Sequence, residues 1–227
     1  MQEKNQTLLK ETEKKQMERN DYFLLWTHQI KTPMAALRLL LEQREDSMNL
    51  KQELFKIEQY VDMMLQYQRL SDISNDLLLK EEELGNLIRR AVKKFGIIFI
   101  QKGIRLDLAE FESKIVTDEK WFCFAIEQIL SNSLKYSDGG SIRIYLKNQE
   151  IGKLTLCIED EGYGIKAEDL PRIFERGFTG YNGRGSAKST GIGLFMCKQI
   201  LNKLGFEIWV HSEEGRGTKV YLNLTKM

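Results

Sequence analysis

The sequence has little of what marks secreted, metal-binding or membrane-spanning chains. It has only three cysteines in 227 residues, Cys123, Cys157 and Cys197. They lie among apolar neighbours without CxxC spacing, which favours small buried side chains in a reducing compartment over a disulfide or a zinc site. No stretch approaches the roughly 18 apolar residues that a membrane span requires, and the polar N-terminus does not resemble a signal peptide. The formal net charge is only +1, so we expect no nucleic-acid partner.

Histidine and proline are also scarce, with two of each. One histidine, His28, lies where apolar residues recur at helical spacing, which leaves its imidazole free to face solvent. Thr32 follows one turn later on the same face, and Pro33 is expected to kink the helix. This pattern indicates a candidate nucleophile, although a lone surface histidine is more often only a surface residue. His211, in a predicted strand, keeps that structural interpretation.

The first 72 residues are predicted to form a helical hairpin. Residues 1–45 contain no glycine and only one proline. After a polar break at residues 44–47, the apolar residues from Leu50 to Met64 step by alternating fours and threes, which is a heptad seam. One hairpin cannot bury such a stripe alone. We therefore predict a homodimer in which two hairpins form a four-helix bundle.

The pattern changes at residues 73–77, which we interpret as an interdomain linker, and residues 78–227 form the second predicted domain. The predicted helices are 83–95, 120–136 and 191–204, and the predicted strands are 105–108, 113–118, 141–146, 153–160, 207–212 and 218–224. This mixture predicts an α/β sandwich of the α+β class, with a mostly antiparallel sheet and helices on one face. The long segment between Phe174 and Thr190 is typical of a functional lid.

Residues 160–165 join the end of a predicted strand to a glycine turn. Asp160 can accept a hydrogen bond from an exocyclic amine, and Gly162 and Gly164 would let the backbone approach a flat ring, with Ile165 alongside. Alone, this pattern is weak and is usually only a turn. Residues 215–218, a second glycine turn that includes Thr218, are equally unspecific alone.

A small-residue segment, Lys188–Leu194, precedes an apolar helix. Backbone N–H groups at the start of a helix make an anion site, so Thr190, Gly191, Gly193 and Leu194 are candidates for binding phosphate. The spacing is not that of a P-loop. No βαβ unit surrounds the segment, which excludes a dinucleotide fingerprint.

One predicted helix places four polar side chains within one or two turns of a common face: Gln128, Asn132, Lys135 and Tyr136. An amide that can hold Mg²⁺ beside a lysine that can meet phosphate is typical of phosphoryl transfer.

The order of these motifs resembles that of the sensor histidine kinases of bacterial two-component systems, from about Tyr22 onward. The stretch Leu25–Pro33 particularly resembles the small-sensor kinases that answer cell-envelope antibiotics. The matching positions are His28, Thr32 and Pro33 for the phosphoacceptor box, Asn132 and Lys135 for the asparagine box, Asp160, Gly162 and Gly164 for the adenine box, Phe174 for the phenylalanine box, and Gly191, Gly193, Gly215, Gly217 and Thr218 for the glycine boxes.

The resemblance implies an ATP-dependent protein-histidine kinase. It would have a dimeric four-helix bundle and an ATP-binding domain of the gyrase, Hsp90 and histidine kinase type, with ATP and Mg²⁺ as cofactors. The implied catalytic residues are His28, Gln29, Thr32 and Lys135. Those for the nucleotide are Asn132, Lys135, Tyr136, Asp160, Gly162, Gly164, Ile165, Thr190, Gly191, Gly193, Leu194 and Thr218, and those for the metal are Asn132 and Gln128.

The implied partners are a second copy of the chain and the receiver domain of a response regulator. A membrane would be involved only through sequence upstream, as in the cytoplasmic portion of a membrane sensor. Two residues depart from the family pattern. Gln29 stands where most relatives have Asp or Glu and cannot take a proton, and Gln128 replaces the usual first asparagine. Gln29 keeps an alternative open, a nucleotide-gated dimeric adaptor in which His28 is not catalytic.

Overall fold

The computed structural model describes residues 26–27, 29–41, 47–70, 73, 77–147, 154–180 and 189–225. His28, the predicted nucleophile, lies outside the described residues, as do most of the predicted linker and Lys188. The chain divides into two compact units between Gln66 and Tyr67. The predicted domain limits, 1–72 and 78–227, stay a prediction.

The first unit is helical. Helix α1 covers residues 29–41 and continues through Pro33, and helix α2 is Ser47–Arg69, whose last residues belong to the second unit. Trp26 and Gln29 are almost fully buried. Several large apolar side chains of these helices are nevertheless exposed, namely Met34, Leu39, Leu41, Leu54, Val61 and Leu65. None of the helices in the described part of the chain contains an apolar run of membrane-spanning length.

The second unit mixes strands and helices. Its strands are β1 (Lys80–Glu83), β2 (Arg105–Leu108), β3 (Lys114–Thr117), β4 (Ser141–Lys147), β5 (Thr155–Asp160), β6 (Glu207–Glu213) and β7 (Gly217–Asn223). Its helices are α3 (Leu84–Lys94), α4 (Gly96–Lys102), α5 (Glu119–Lys135) and α6 (Gly193–Lys203), with a short 3₁₀ turn at Leu170–Arg172. The predicted order of helices and strands is confirmed, and β1 and α4 are additions.

The five-stranded sheet has the order β2-β4-β5-β7-β6. Among the described strands of this sheet, only the β2–β4 pair is parallel, with Leu106 opposite Ile142, and the other pairs are antiparallel. Strands β1 and β3 form a separate antiparallel pair. The prediction of a mostly antiparallel sheet is therefore confirmed, and this sheet places the carboxyl end of β5 beside the start of β7.

The core lies between the sheet and the helices. Alternate residues of β5, Leu156 and Ile158, are fully buried, because α5 packs on this strand and α6 packs on α5. Phe122 of α5 meets Phe206 edge to face, with ring centroids 6.0 Å apart. The three cysteines of this unit are free and buried, as predicted.

The opposite face of the sheet carries a charge network around Glu159. Its carboxylate accepts hydrogen bonds from Arg143 at 2.8 Å and Tyr145 at 2.9 Å and lies 3.0 Å from the Lys219 ammonium. Burial opposes ionisation of Glu159, but the bonds from Lys219 and Tyr145 and the charge of Arg143 outweigh it and hold its pKa below the usual value. Because successive side chains of a β-strand point to opposite faces of the sheet, Glu159 and its neighbour Asp160 lie on opposite faces.

Candidate functional site

The carboxylate of Asp160 lies at the carboxyl end of β5 and is 6% exposed. Its Oδ1 accepts hydrogen bonds from the backbone N–H groups of Gly162 at 3.1 Å and Thr218 at 3.2 Å. Burial raises the pKa of this carboxyl group, against the lowering effect of a Ser133 hydrogen bond and the two backbone bonds. A carboxylate has about four acceptor positions, so the two backbone donors on Oδ1 leave acceptor positions for a further donor, such as the amine of a base.

The glycines around Asp160 allow two backbone turns to pack against each other. Gly164 has a φ of +69°, and a Cβ there would overlap the carbonyl group of Glu213. Gly217, with a φ of +89°, would in the same way overlap the Asp160 carbonyl. Close packing of protein backbone therefore explains these glycines directly. Contact of Gly162 and Gly164 with a nucleotide stays a prediction.

Helix α5 presents the predicted polar face. Gln128, Asn132 and Lys135 follow each other at spacings of four and three, which places them on one side of the helix. Asn132, Lys135 and Tyr136 are half-buried, whereas Gln128 is buried beside Gly193, where an added Cβ would lie 3.1 Å from its Oε1. The amide oxygen of Asn132 is a hard donor of the kind that Mg²⁺ accepts. Asn132 therefore suits the role of a single protein ligand to a magnesium ion whose other ligands are water and phosphate oxygens.

The end of α5 contacts a serine from a distant part of the chain. Lys135 Nζ donates a hydrogen bond to Ser189 Oγ at 2.9 Å, and the Tyr136 hydroxyl lies 2.6 Å from the same oxygen. Burial lowers the pKa of Lys135 to about 8. A partly desolvated ammonium group with a neighbouring phenol is suited to a multiply charged oxyanion.

Helix α6 begins at Gly193, four residues after this serine. Thr190 is buried, and its Oγ1 accepts a hydrogen bond from Ile192 N–H at 3.3 Å. Gly191 has a φ of +65°, and its carbonyl oxygen accepts a bond from Gly177 N–H at 2.9 Å. Gly193 and Leu194 open the helix and are half-buried. This segment brings the N-terminus of α6 toward the end of α5.

The two clusters meet at the carboxyl end of α5. Tyr163 N–H, three residues after Asp160, bonds the carbonyl oxygen of Tyr136 at 3.0 Å, and the neighbouring Lys135 bonds Ser189. One cluster is a buried acceptor for an amine, and the other is a cationic site for an anion. Such a pair suits a ligand with a base at one end and phosphates at the other.

Residues 117–226 match the family described as histidine kinase-, DNA gyrase B-, and HSP90-like ATPase. The sensor histidine kinase YxdK of Bacillus subtilis is 34% identical over 225 residues, which cover 96% of this chain and 69% of YxdK. The chain belongs to the sensor histidine kinases.

Two further relatives are also sensor proteins. The sensor protein BceS of Halalkalibacterium halodurans is 35% identical over 91% of this chain and 62% of its own length. The sensor histidine kinase GraS of Staphylococcus haemolyticus is 40% identical over 88% of this chain and 59% of its own length. The chain therefore spans about three fifths of the length of these two relatives.

Solved structures share the fold. The Acinetobacter baumannii histidine kinase AdeS matches with a TM-score of 0.58 at 21% identity, over 87% of this chain and 97% of AdeS. Full-length ShkA in complex with AMPPNP matches with a TM-score of 0.63 at 18% identity, over 91% of this chain and 45% of ShkA. The expected fold, a helical region followed by an ATPase-type α/β domain, is confirmed.

The structure brings several of the predicted nucleotide residues together in the second unit, around Asp160 and around Lys135. Thr218 reaches Asp160 through its N–H group, and Ile165 N–H bonds Ser212 Oγ at 2.9 Å beside it. In the first unit, Gln29 is 6% exposed and Thr32 is exposed. The individual roles of all these residues stay predictions.

Sequence reasoning missed two contributors, Ser133 and Ser189. Ser133 lies on the buried side of α5 and lowers the pKa of the Asp160 carboxyl group, against the effect of burial. Ser189 lies inside the predicted phosphate segment, but its contacts with Lys135 and Tyr136 join residues more than 50 positions apart. The one sequence signal for Ser189 was its position next to Thr190, a predicted phosphate-binding residue.

Proposed function

We propose that this sensor histidine kinase transfers the γ-phosphoryl group of ATP to His28 and then to an aspartate of a response regulator. The observation that carries the proposal is the buried Asp160 carboxylate, which keeps acceptor positions for a further donor and lies at the same end of α5 as the Lys135 ammonium. That pairing suits adenine at one end and phosphates at the other.

In this proposal Asp160 accepts the adenine amine, within the turns formed by Gly162, Gly164, Ile165 and Thr218. Lys135, Tyr136 and the N–H groups near Gly191 and Gly193 neutralise the phosphate oxygens as charge moves in the transition state. Thr190 and Leu194 hold the start of α6.

Asn132 would hold Mg²⁺ through its amide oxygen, and Gln128, which is buried against Gly193, would support it less directly. The metal supplies neutralisation of the charge on the transferring phosphoryl group.

His28 Nε2 is the proposed acceptor. The family pattern has Asp or Glu after the histidine in most members, whereas Gln29 can hydrogen-bond but cannot accept a proton. Positioning rather than proton transfer would then be the contribution of Gln29. Thr32 is exposed on α1 and would position a water for the reverse phosphatase reaction.

The proposed partners are a second copy of the chain and a receiver domain. The exposed apolar side chains of α1 and α2, including Leu54, Val61 and Leu65, support a dimeric four-helix bundle, because a partner hairpin would bury this seam. We further propose that the chain is the cytoplasmic portion of a membrane sensor of the small-sensor, envelope-stress group, with sequence upstream linking it to the membrane.

The test is incubation with γ-labelled ATP and Mg²⁺, followed by acid and alkali treatment of the labelled protein. We expect an acid-labile, alkali-stable label that is absent in His28→Ala and retained in His211→Ala, the matched control at the other histidine. Label retained in His28→Ala would refute the proposal. ATP binding without any label would favour the second candidate, a nucleotide-gated adaptor, which the presence of Gln29 supports.

A further inference from the structure

The hydroxyl group of Ser189 engages both side chains that would meet the phosphates. Lys135 Nζ donates to Ser189 Oγ at 2.9 Å, and the Tyr136 hydroxyl lies 2.6 Å from it. The ammonium group also lies 5.6 Å from the centre of the Tyr136 ring. The protein's own hydroxyl therefore binds where a phosphate oxygen would bind.

The backbone beyond Ser189 is anchored, so the hydroxyl is delivered from a defined position. Thr190 is 8% exposed. Gly191 bonds Gly177 through its carbonyl group, and an added Cβ on Gly191 would lie 2.6 Å from the carbonyl oxygen of Phe178. These contacts hold the chain two residues away from Ser189 against the 177–178 segment. Rotation of the serine side chain alone can break its bonds to Lys135 and Tyr136.

We propose that Ser189 is an internal ligand of Lys135 and Tyr136 that a nucleotide phosphate displaces, so that this serine sets the nucleotide affinity of the kinase. The proposal rests on the proposed function. A phosphate oxygen makes stronger, charge-assisted hydrogen bonds than a neutral hydroxyl, so the exchange is favourable. Each bond that Ser189 loses nevertheless reduces the net gain from nucleotide binding.

The first test compares ADP dissociation constants by calorimetry for the wild type and three variants. Ser189→Ala removes the competitor, and we expect binding to tighten about threefold to tenfold, the range for one modest hydrogen bond. Ser189→Asp replaces the hydroxyl with an anion beside Lys135, and we expect binding to weaken at least about tenfold. Ser113→Ala, a matched change beside β3, should bind as the wild type does.

The second test needs no nucleotide. Lysines are acetylated with limiting reagent, and the modification of Lys135 is followed by mass spectrometry. Because the Lys135 ammonium group is hydrogen-bonded to the Ser189 hydroxyl, Ser189→Ala should raise the modification rate of Lys135 severalfold. Ser113→Ala should leave that rate unchanged. Thermal melting of each variant verifies that it is folded.

The outcomes separate the two proposals. If the wild type fails to bind ADP, the proposed function is wrong whatever Ser189 does. Two results would refute only the role of Ser189 as a displaced ligand. One is that the wild type binds ADP but Ser189→Ala binds it equally or more weakly. The other is that Lys135 in Ser189→Ala is acetylated at the wild-type rate.

Discussion

Replacing Asp160 with asparagine separates two effects of its buried charge, the effect on folding stability and the effect on nucleotide binding. Asp160 is 6% exposed and its pKa is raised, chiefly by burial. A carboxyl group whose pKa is raised on folding favours the folded state below its unfolded pKa, and this contribution is lost as pH rises through the folded pKa. Near neutral pH its ionisation therefore opposes folding, and a neutral amide removes that penalty.

The same change should damage nucleotide binding. Asp160→Asn weakens the acceptor from a charged to a neutral group and can place an N–H₂ group against the adenine amine. A hydrogen bond to a charged group is worth roughly 1.5–3 kcal/mol, which corresponds to about 10-fold to 150-fold in the dissociation constant. The backbone bonds from Gly162 and Thr218 can still reach the amide oxygen. We therefore expect a melting temperature within a few degrees of the wild type, or above it.

The neighbouring carboxylate on β5 provides the matched control. Glu159 lies on the other face of the sheet and is stabilised in its charged form by Arg143, Tyr145 and Lys219. Glu159→Gln should lower stability by roughly 1–2 kcal/mol, with the low value reflecting the partial exposure of the two cations. It should leave nucleotide affinity unchanged.

The assay pairs calorimetric titration with a non-hydrolysable ATP analogue and thermal melting of the same samples. The expected pattern is weak binding with an intact fold for Asp160→Asn, and tight binding with a lower melting temperature for Glu159→Gln. Wild-type affinity in Asp160→Asn would refute the assignment of Asp160 to the base. A collapse of its melting temperature would refute the argument from burial.

Two further predictions follow from single groups. Burial lowers the pKa of Lys135 to about 8, and a bound phosphate would favour its charged form, so ADP affinity measured by calorimetry should fall as pH rises through about 8. Lys135→Arg should show a flat profile over that range, and a flat wild-type profile would contradict the assignment. Gly164→Ala would drive a methyl group into the backbone of Glu213 at a φ of +69° and should cost more than roughly 2 kcal/mol in chemical denaturation. Gly103→Ala, with a φ of +61° and no atom within 4 Å of the added Cβ, should cost only about 1 kcal/mol, and equal losses would disprove the steric explanation.

The helices and strands that were predicted correctly are those whose sequence signals lie within the element or at its ends. Helix α5 follows an Asp118 cap whose side chain accepts from Trp121 N–H at 3.0 Å, and its apolar residues recur at helical spacing. Strand β1 was missed because Lys80–Glu83 consists only of charged residues. That strand exists through its ladder with β3, where Lys80 pairs with Thr117, and such pairing leaves no periodic signal in the strand itself.

The candidate site was predictable in its parts and not in its assembly. Asp160 and the polar face of α5 each had a local signature. The contact of Lys135 with Ser189 did not, because it joins the end of a helix to a residue 54 positions later, and no spacing rule relates the two. The effect of Ser133 on the pKa of Asp160 was missed for the same reason.

The two glycine turns were predicted as parts of a nucleotide site, and the structure shows that their glycines also serve the packing of the protein backbone. Gly162 and Gly164 were predicted to admit a flat ring, yet their hydrogen atoms face protein backbone, as does that of Gly217 against Asp160. The turn at 215–218 also supplies the Thr218 N–H group that bonds the Asp160 carboxylate at 3.2 Å. The turns thus form one structural unit that holds the carboxylate in place. A variant such as Gly217→Ala would lose nucleotide affinity by displacing Asp160, so a binding defect there indicates contact with nucleotide only if the fold and the Asp160 position are intact.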